Sequence, residues 1–499
     1  MNSVAQQAVA WSIAGTDPSG GAGIQADMKT FQGMGVYGCS VITAVIAQNT
    51  AGVLKVECVA EDMLRSQLAA LEDDVLPRAI KIGMLGSAAA ARVVTGCLRR
   101  LRVYSVYDPV MVSGSGHSLV DPDAVSVLVA ELLPQVDLIT PNIGEAERLA
   151  GRKIVTPDDM LDAARTIKRM GPRSVLLKGG HRAGGVCSDL WLDDDGCFWL
   201  NSGRVSSFET HGTGCTLSSA LAGAVALGFP PRDAAVIAKA YLNQGLRLAR
   251  PVGRGRVPLA HGGWPANPAD MPWITPRAGT PRGGAFPGCG DSALGFYPLV
   301  SRAAEMERLL SLGVKTIQLR AKDLGGFALE QEVVDAVGAA GRFGARLFIN
   351  DDWRLALKHR AYGVHLGCAD CVDADVEAIR RAGLRLGVSA YTYEELARAV
   401  ALSPSYIGLG AVFATGSKEV PTPPLGVGGF RCMRRLVAVP VVAIGGVTLE
   451  RARELLDAGA DGLAVISDVA AAPDPAQRVQ QWLEFLDRYA DLRRATDQG

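Results

Sequence analysis

Residues 251–292, PVGRGRVPLAHGGWPANPADMPWITPRAGTPRGGAFPGCGDS, decide how the rest of this sequence is interpreted. This segment holds 17 Pro or Gly residues in 42 positions, against 84 in the 499 residues of the whole chain. Pro removes a backbone donor and Gly enlarges the unfolded ensemble, so long helices and continuous strands do not run through such a density. The sequence therefore predicts domains over residues 1–250 and 293–499, joined by a linker over residues 251–292 that leaves them loosely connected. As an alternative, Trp264 and Trp273 could dock parts of this linker onto a domain.

Composition indicates an ordered, globular protein. Apolar residues make up 48% of the chain, charged residues 20%, and 51 basic residues balance 51 acidic ones. Without a basic run or tail, nucleic acid is a poor candidate partner. The ten cysteines show no disulfide-like spacing, no secretory signal opens the chain, and no apolar run approaches the roughly 20 residues that span a bilayer. We expect a cytoplasmic protein with no membrane partner, and we interpret Cys368 and Cys371 as buried thiols, with zinc as the alternative.

The first half alternates strand and helix patterns. Apolar runs at 9–13, 41–47, 80–84, 103–108, 138–140 and 175–178 alternate with helical patterns such as 24–34 and 160–170. This order predicts an α/β domain with a mainly parallel sheet covered on both faces. Ligands of such sheets bind outside the carboxyl ends of the strands. The polar residues of this half fall at those ends: Asp17, Gln48, Asp108, Asn142 and Lys178.

The loop THGTGCT at residues 210–216 precedes a helical pattern of small residues. Amides at a helix start, helped by the helix dipole, form a hole for an anion such as a moving phosphoryl group. The alternative is a simple helix-entry turn. If solvent reaches Cys215, its pKa should be lowered there, and its thiolate could help to deprotonate a substrate hydroxyl. The alternative for Cys215 is a small buried residue.

An ordered set of motifs runs through this half: AGTDPSGGAGIQAD at 14–27, YGCS at 37–40, QNT at 48–50, KIGM at 81–84, TPN at 140–142 with Glu145, KGGH at 178–181 and the cysteine loop. Together they resemble the hydroxymethylpyrimidine/phosphomethylpyrimidine kinase family over about residues 8–250. The resemblance implies a ribokinase-like αβα fold. It also implies ATP-dependent phosphorylation of hydroxymethylpyrimidine, and then of its monophosphate.

The resemblance assigns roles to individual residues. Gln48 matches the residue that hydrogen-bonds the aminopyrimidine, since a side-chain amide both donates and accepts. Asp27 and Met84 match neighbouring pocket positions. The residues implied to handle Mg²⁺, nucleotide and phosphate are Asn142, Glu145, Lys178, Gly212 and Gly214. Cys215 matches the family's cysteine, at the position where sugar kinases of this fold carry an aspartate base. One departure stands at residues 113–116, SGSG, where many relatives carry a lysine.

The second half shows eight strand–helix units. Strand-like runs occur at 296–300, 316–319, 346–349, 363–366, 385–388, 406–408, 441–444 and 463–466, with helical patterns between them. This repetition predicts a (β/α)8 TIM barrel, whose active site lies at the carboxyl ends of the strands. Asp351 and Asp370 follow adjacent strands and could share Mg²⁺, although Asp351 could instead cap a helix. Arg320, Lys322 and Lys418 supply the positive charge that a departing pyrophosphate requires.

The motifs QLRAK at 318–322, ND at 350–351, GVHLG at 363–367 with Asp370, GVS at 387–389, GLG at 408–410, Thr415 with Lys418, IGG at 444–446 and VIS at 465–467 resemble thiamine phosphate synthase over about residues 294–489. By that resemblance, Asp351 and Asp370 match the magnesium ligands. The positions implied to bind the pyrimidine diphosphate are Gln318, Leu319, Arg320, Ala321, Lys322, Asn350, Ser389 and Lys418. Those implied to hold the thiazole phosphate are Thr415, Gly416, Ser417, Gly446, Ile466 and Ser467.

Four positions depart from the synthase pattern: Cys368, Tyr391, Ala411 and Ala414. None removes a charged group or a magnesium ligand, so we expect effects on loop rigidity and on pyrimidine affinity. A barrel that binds thiazole phosphate without turnover remains an alternative, as does a pyridoxal or sugar kinase in the first half.

The two resemblances meet chemically, because the diphosphate made by the first activity is the electrophile of the second. The sequence thus predicts a bifunctional thiamine-biosynthesis enzyme that uses hydroxymethylpyrimidine, ATP, Mg²⁺ and thiazole phosphate. It does not decide whether the chain forms a homo-oligomer.

Overall fold

The computed structural model describes residues 7–111, 122–180, 185–205, 209–290, 293–416 and 423–497. The chain forms two compact units, Met1–Pro281 and Arg282–Gly499. Among the described residues, no helix combines the length and the apolar character needed to cross a membrane.

The first unit is built on a nine-stranded sheet, and this confirms the predicted αβα architecture. Six strands run parallel in the order β2-β1-β5-β6-β7-β8, and the antiparallel strands β9, β10 and β13 extend that edge. Two small pairs, β3 with β4 and β11 with β12, lie outside the sheet. The strands are β1 Val9–Ala14, β2 Tyr37–Ile42, β3 Ala44–Asn49, β4 Gly52–Cys58, β5 Ala79–Ile82, β6 Tyr104–Tyr107, β7 Leu138–Ile139, β8 Ser174–Leu177, β9 Val186–Asp193, β10 Gly196–Gly203, β11 Thr210–His211, β12 Val257–Pro258 and β13 Trp273–Thr275.

Helices cover both faces of this sheet, because side chains alternate between the faces along each strand. Trp11 and Ile13 of β1 pack into one apolar core with Leu64 and Val93, whereas Ser12 points to the other face and contacts Asp27. The helices are α1 Gly23–Gly33, α2 Glu61–Asp74, α3 Ala88–Leu101, α4 Pro122–Val127, α5 Ile143–Ala150, α6 Pro157–Lys168, α7 Thr213–Ala226 and α8 Pro231–Leu248.

The run at 41–47, predicted as one strand, is divided between two sheets. β2 ends at Ile42 and pairs with β1, whereas β3 begins at Ala44 and forms a hairpin with β4. The division occurs at Thr43, whose N–H donates to Ala14 O (3.0 Å) and whose hydroxyl donates to Met84 O (2.6 Å). These partners are remote in sequence, so local apolar character could not reveal the break.

The Pro/Gly-rich segment differs from the loose linker that its composition predicts. Within it, β12 pairs with β11, and β13 forms the edge of the large sheet against β10. Val257, Leu259, Met271 and Ile274 are all buried. Gly and Pro density excludes long elements but permits strands of two and three residues that tertiary contacts hold in place.

The second unit is a closed barrel of eight parallel strands, as predicted. Its strands are β14 Gly295–Val300, β15 Thr316–Leu319, β16 Arg346–Asn350, β17 Gly363–Leu366, β18 Arg385–Ala390, β19 Tyr406–Leu409, β20 Val441–Ala443 and β21 Gly462–Val465. Its helices are α9 Ala303–Ser311, α10 Gly326–Phe343, α11 Trp353–Lys358, α12 Val376–Arg381, α13 Tyr393–Ala401, α14 Gly426–Arg434, α15 Ala452–Asp457, α16 Ser467–Ala470 and α17 Pro475–Asp497.

Candidate functional sites

A charged cluster lies at the carboxyl ends of β6 and β8 in the first unit. Lys178 Nζ donates to Asp108 Oδ1 at 2.7 Å, and the Thr140 hydroxyl donates to the same oxygen at 3.3 Å. Burial alone would lower the pKa of Lys178, but the carboxylates of Asp108 and Glu145 outweigh it and raise that pKa. Lys178 therefore stays a cation in a largely buried position. Asp108, which the sequence marked only as a polar strand end, is an integral member of this cluster.

The predicted anion loop lies directly over that cluster. A Cβ added at Gly214 would stand 3.0 Å from Asp108 Oδ2 and 3.2 Å from Lys178 Nζ. Gly212 is the N-cap of α7 with φ 83°, and a Cβ there would lie 1.8 Å from Gly21 O. A side chain at Gly212 would clash with the Gly21 carbonyl, and one at Gly214 would crowd the space between the cluster and the first amides of α7.

Asn142 and Glu145 are brought to the same edge, where they begin α5. Asn142 Oδ1 accepts from Glu145 N (2.9 Å), and a Glu145 carboxylate oxygen accepts from Asn142 N (2.7 Å), which forms a capping box. Burial raises the pKa of Glu145 to about 7; Lys178 opposes this increase and Asp108 adds to it.

Cys215 lies in the first turn of α7, where the sequence predicted a lowered pKa only if solvent reaches the thiol; the pKa is instead raised. Burial raises the pKa to about 11; Lys81 lowers it, whereas Asp27 and Asp108 raise it further. The half-buried thiol receives too little solvent for the helix start to dominate. The resting protein therefore holds a protonated Cys215.

Asp27, predicted as a pocket residue, is fully buried. Its carboxylate accepts hydrogen bonds from Ser12 Oγ (2.5 Å), Lys81 Nζ (2.7 Å) and Ser219 Oγ (2.7 Å), and the Asp27–Lys81 pair is fully buried. Burial lowers the pKa of Lys81, but Asp27, Cys215 and Asp108 raise it more strongly, to a value above the ordinary one. Three donors satisfy Asp27, so it can orient the surrounding helices and strands.

The predicted pyrimidine positions Gln48 and Met84 lie near the β3–β4 hairpin. Gln48 is half-buried on β3, next to an irregularity in the pairing with β4. Met84 is buried against Ala44 and Ile46. The glycine loop contacts the same hairpin, because Thr16 N donates to Ala44 O at 3.0 Å.

Asp17, which the sequence marked as a polar strand end, and His211, which it did not single out, join the glycine loop to the anion loop. Asp17 accepts from the amides of Ser19 (2.9 Å), Gly21 (3.1 Å) and Ala22 (2.7 Å), and it contacts His211 Nε2 at 3.1 Å. Burial raises the pKa of Asp17, but the hydrogen bonds from His211, Ser19 and Ala22 outweigh it and bring the pKa to about 2. The contact between Asp17 and His211 spans 194 residues and leaves no local pattern in the sequence.

In the second unit, an open cavity occupies the carboxyl end of the barrel, as predicted. Its lining includes these predicted residues: Gln318, Arg320, Lys322, Asn350, Asp351, Asp370, Ser389, Thr415, Gly446, Ile466 and Ser467. Leu319 and Ala321 are instead buried in the wall. Gly416 is outside the cavity lining, and Ser417 and Lys418 lie outside the described residues.

The two acids lie on neighbouring strand ends at the cavity. Asp351 has a left-handed backbone (φ 62°), and one of its oxygens forms an ion pair with Lys322. Asp370 Oδ2 accepts from Gly367 N at 3.1 Å. The donor set fits Mg²⁺, which takes one or two carboxylates and completes its shell with water and phosphate oxygens. Among the described residues, no group of three or more His, Cys, Asp or Glu side chains could enclose a metal ion without such help.

Glycines shape the opposite side of the cavity. Gly446 has φ 64°, and a Cβ there would lie 2.6 Å from Ala414 O. Arg451 Nη1 donates to Gly446 O at 2.8 Å and stacks over the Phe413 ring, which holds the loop in place. The departures Tyr391 and Ala411 also line the cavity, whereas burial raises the pKa of Cys368 to about 12 and makes it an inert thiol.

The sequence and fold of this chain are similar to those of known proteins. Residues 17–260 match the family model described as phosphomethylpyrimidine kinase, and residues 299–469 match the one described as thiamine monophosphate synthase. A hydroxymethylpyrimidine/phosphomethylpyrimidine kinase of Rhizobium meliloti is 46% identical over 257 residues, which is 51% of this chain and 97% of the relative.

Similarity also extends across both units. A probable thiamine biosynthetic bifunctional enzyme, chloroplastic, of Oryza sativa subsp. japonica is 33% identical over 480 residues, which is 93% of this chain and 85% of the relative. The structure of a Staphylococcus aureus pyridoxal kinase in complex with ADP superposes with a TM-score of 0.50 at 30% identity, and covers 54% of this chain and 98% of that one.

Proposed function

Since this chain belongs to the family of bifunctional thiamine biosynthetic enzymes, we propose that its first unit makes a pyrimidine methyl diphosphate and its barrel consumes that product. The first unit phosphorylates hydroxymethylpyrimidine and then its monophosphate with ATP. The barrel joins the diphosphate to thiazole phosphate, giving thiamine phosphate and pyrophosphate. The observation that carries the proposal is that each unit has its own cationic, glycine-lined site at strand carboxyl ends.

In the kinase site, catalysis rests on positioning and on charge neutralisation. Lys178 supplies a fixed cation, and the amides at the start of α7 receive the developing negative charge. Asn142 and Glu145 would hold Mg²⁺, which neutralises phosphate charge when bound. Cys215 can accept the proton of a substrate hydroxyl only after losing its own, which the resting pocket disfavours.

In the barrel, the bond from the pyrimidine methylene to the diphosphate oxygen breaks, and a bond from the thiazole nitrogen to that methylene forms. Arg320 and Lys322 stabilise the departing pyrophosphate, and Asp351 and Asp370 would hold Mg²⁺, which shares that charge. The thiazole phosphate is held by the glycine side of the cavity, where Thr415, Gly446, Ile466 and Ser467 are placed.

The test uses the whole chain with hydroxymethylpyrimidine, ATP, Mg²⁺ and thiazole phosphate. We expect thiamine phosphate, and omission of any one substrate should abolish it. If the complete mixture yields no thiamine phosphate while supplied pyrimidine diphosphate is converted, the kinase assignment is wrong. If the diphosphate accumulates without release of pyrophosphate, the barrel is a binding module.

Pyridoxal is the second candidate substrate for the first unit, because the similarity to a pyridoxal kinase covers 54% of this chain and 98% of that kinase. Competition in a kinase assay separates the two. We expect hydroxymethylpyrimidine to have the higher kcat/KM, since Gln48 offers the donor and acceptor that an aminopyrimidine edge requires.

A further inference from the structure

A buried chain of hydrogen bonds crosses the interior of the barrel beneath the cavity. Gln318 Nε2 lies 3.1 Å from Tyr297 OH, which lies 2.8 Å from Tyr406 OH. Tyr406 OH lies 2.7 Å from His365 Nδ1, and His365 Nε2 lies 2.8 Å from Ser389 Oγ. The five residues come from β14, β15, β17, β18 and β19, all are buried, and all line the cavity.

Counting donors sets the direction of this chain. Nε2 of the Gln318 amide can only donate, so it donates to Tyr297 OH. Either hydroxyl could donate between Tyr297 and Tyr406; donation from Tyr297 to Tyr406, and from Tyr406 to His365 Nδ1, gives each phenol proton an acceptor within this hydrogen-bond chain. A neutral imidazole that accepts at Nδ1 donates from Nε2, so Ser389 Oγ accepts from His365 and keeps its hydroxyl proton for another partner.

The two ends of the chain therefore present complementary groups to the cavity. Gln318 Oε1 is a buried acceptor that has no hydrogen-bond partner in the described part of the protein, which is costly unless a ligand donates to it. Ser389 offers a hydroxyl donor at the other end. A single ligand with an amino group and an anionic oxygen satisfies both ends, and an aminopyrimidine bearing a diphosphate has this chemistry.

Resting on the proposed function, we propose that Tyr297, Tyr406 and His365 are positioning residues that hold Gln318 as an acceptor for the pyrimidine amino group and Ser389 as a donor to the diphosphate. The hydroxyl of Tyr406 is the central link, because it contacts both Tyr297 and His365. Without that hydroxyl, His365 can accept a hydrogen bond from Ser389, and the Gln318 side-chain amide can flip so that its oxygen and nitrogen exchange places. Each end then loses its preference for donor or acceptor.

The first measurement is the tautomer of His365 in the whole protein. The chain has six histidines, so selective ¹⁵N-histidine labelling resolves them, and the signal lost in His365→Asn identifies the residue. We expect the proton on Nε2. A proton on Nδ1 would mean that the hydrogen bonds between Gln318 and Ser389 donate in the opposite direction, and this would overturn the proposal.

The second measurement compares Tyr406→Phe with the matched variant Tyr362→Phe. Tyr362 packs on Phe348 in the same aromatic cluster but lies before β17 and outside the cavity lining. Pyrophosphate with Mg²⁺ reports on the Ser389 end, and the preference for the aminopyrimidine diphosphate over its 4-oxo analogue reports on the Gln318 end. We expect Tyr406→Phe to weaken pyrophosphate binding about tenfold. We also expect it to reduce the preference for the aminopyrimidine diphosphate over its 4-oxo analogue about tenfold, because each end loses one charge-assisted or buried hydrogen bond.

These outcomes distinguish a failure of the hydrogen-bond relay that runs from Gln318 to Ser389 from a failure of the proposed reaction. Unchanged values in a folded Tyr406→Phe protein, or equal losses in Tyr362→Phe, would overturn the relay. If Tyr406→Phe does not fold, the wild-type tautomer still decides the direction. Failure of the wild type to form thiamine phosphate, with pyrophosphate bound and the Nε2 proton in place, would count against the reaction and support the relay.

Discussion

Replacing Trp273 by Ala tests whether the Pro/Gly-rich segment is part of the first unit. Trp273 is 7% exposed on β13, pairs with Asn201 of β10, and donates from Nε1 to Thr280 O at 2.8 Å. Truncating a buried Trp to Ala costs about 3–5 kcal/mol through lost burial and the cavity left behind. For units of this size each kcal/mol lowers the melting temperature by about 2–4 °C, so we expect a decrease of about 6–20 °C.

Differential scanning calorimetry of the whole chain measures this effect. A non-hydrolysable ATP analogue should raise the transition of the first unit, and pyrophosphate with Mg²⁺ should raise that of the barrel, which assigns the two. We expect Trp273→Ala to lower only the first. Val252→Ala is the control, because Val252 is 77% exposed in the same segment and its loss should change stability by less than about 0.5 kcal/mol. A first transition that moves by under 2 °C in Trp273→Ala would refute the reasoning.

Further predictions concern the two sites. Lys178→Met should reduce kinase turnover about 10²- to 10³-fold, as does loss of other groups that stabilise developing charge, while conversion of supplied pyrimidine diphosphate stays unchanged. Asp370→Asn should lower synthase activity at least tenfold and raise the Mg²⁺ concentration needed for half-maximal rate, with kinase activity as the internal control. Alkylation of Cys215 by iodoacetamide should accelerate with pH up to about 11, and a plateau near pH 8 would contradict the raised pKa. If the cysteine assists phosphoryl transfer, Cys215→Ala should lower kinase turnover at least tenfold, whereas unchanged kinetics would assign it to packing. Because the pKa of Asp17 is lowered to about 2, its ionised form stabilises the fold above pH 4, and this is lost as pH falls toward 2. Asp17→Asn should therefore cost about 2 kcal/mol at pH 7 and little at pH 2 in urea titrations.

The strands of the barrel could be predicted from the sequence almost residue by residue. The runs at 316–319 and 363–366 coincide with β15 and β17, because buried parallel strands are short apolar runs between amphipathic helices. The hairpin of β3 and β4 could not be separated from β2 in this way. Thr43 ends one sheet and begins another through partners that are remote in sequence.

The site residues show the same difference between features with a local sequence signal and contacts between residues that are remote in sequence. Lys178 directly follows β8 and Asp351 directly follows β16, so the order of the strands predicts the edge at which each lies. The anion loop follows β11, which lies outside the large sheet, so its position over the charged cluster could not be predicted from the order of the strands. The Asp17–His211 contact and the chain through Tyr297 and Tyr406 join residues 194 and 109 positions apart. Neither contact has a local signature, because interior hydrogen bonds depend on which strands become neighbours.

The short strand β13 also affects how this protein aggregates on heating. It covers one side of β10, Gly196–Gly203, whose centre carries Phe198, Trp199 and Leu200. Detachment of three residues would uncover an apolar strand with unpaired amides and carbonyls, the template on which chains associate edge to edge. Thermal aggregation should therefore begin at this edge, before the rest of the sheet melts.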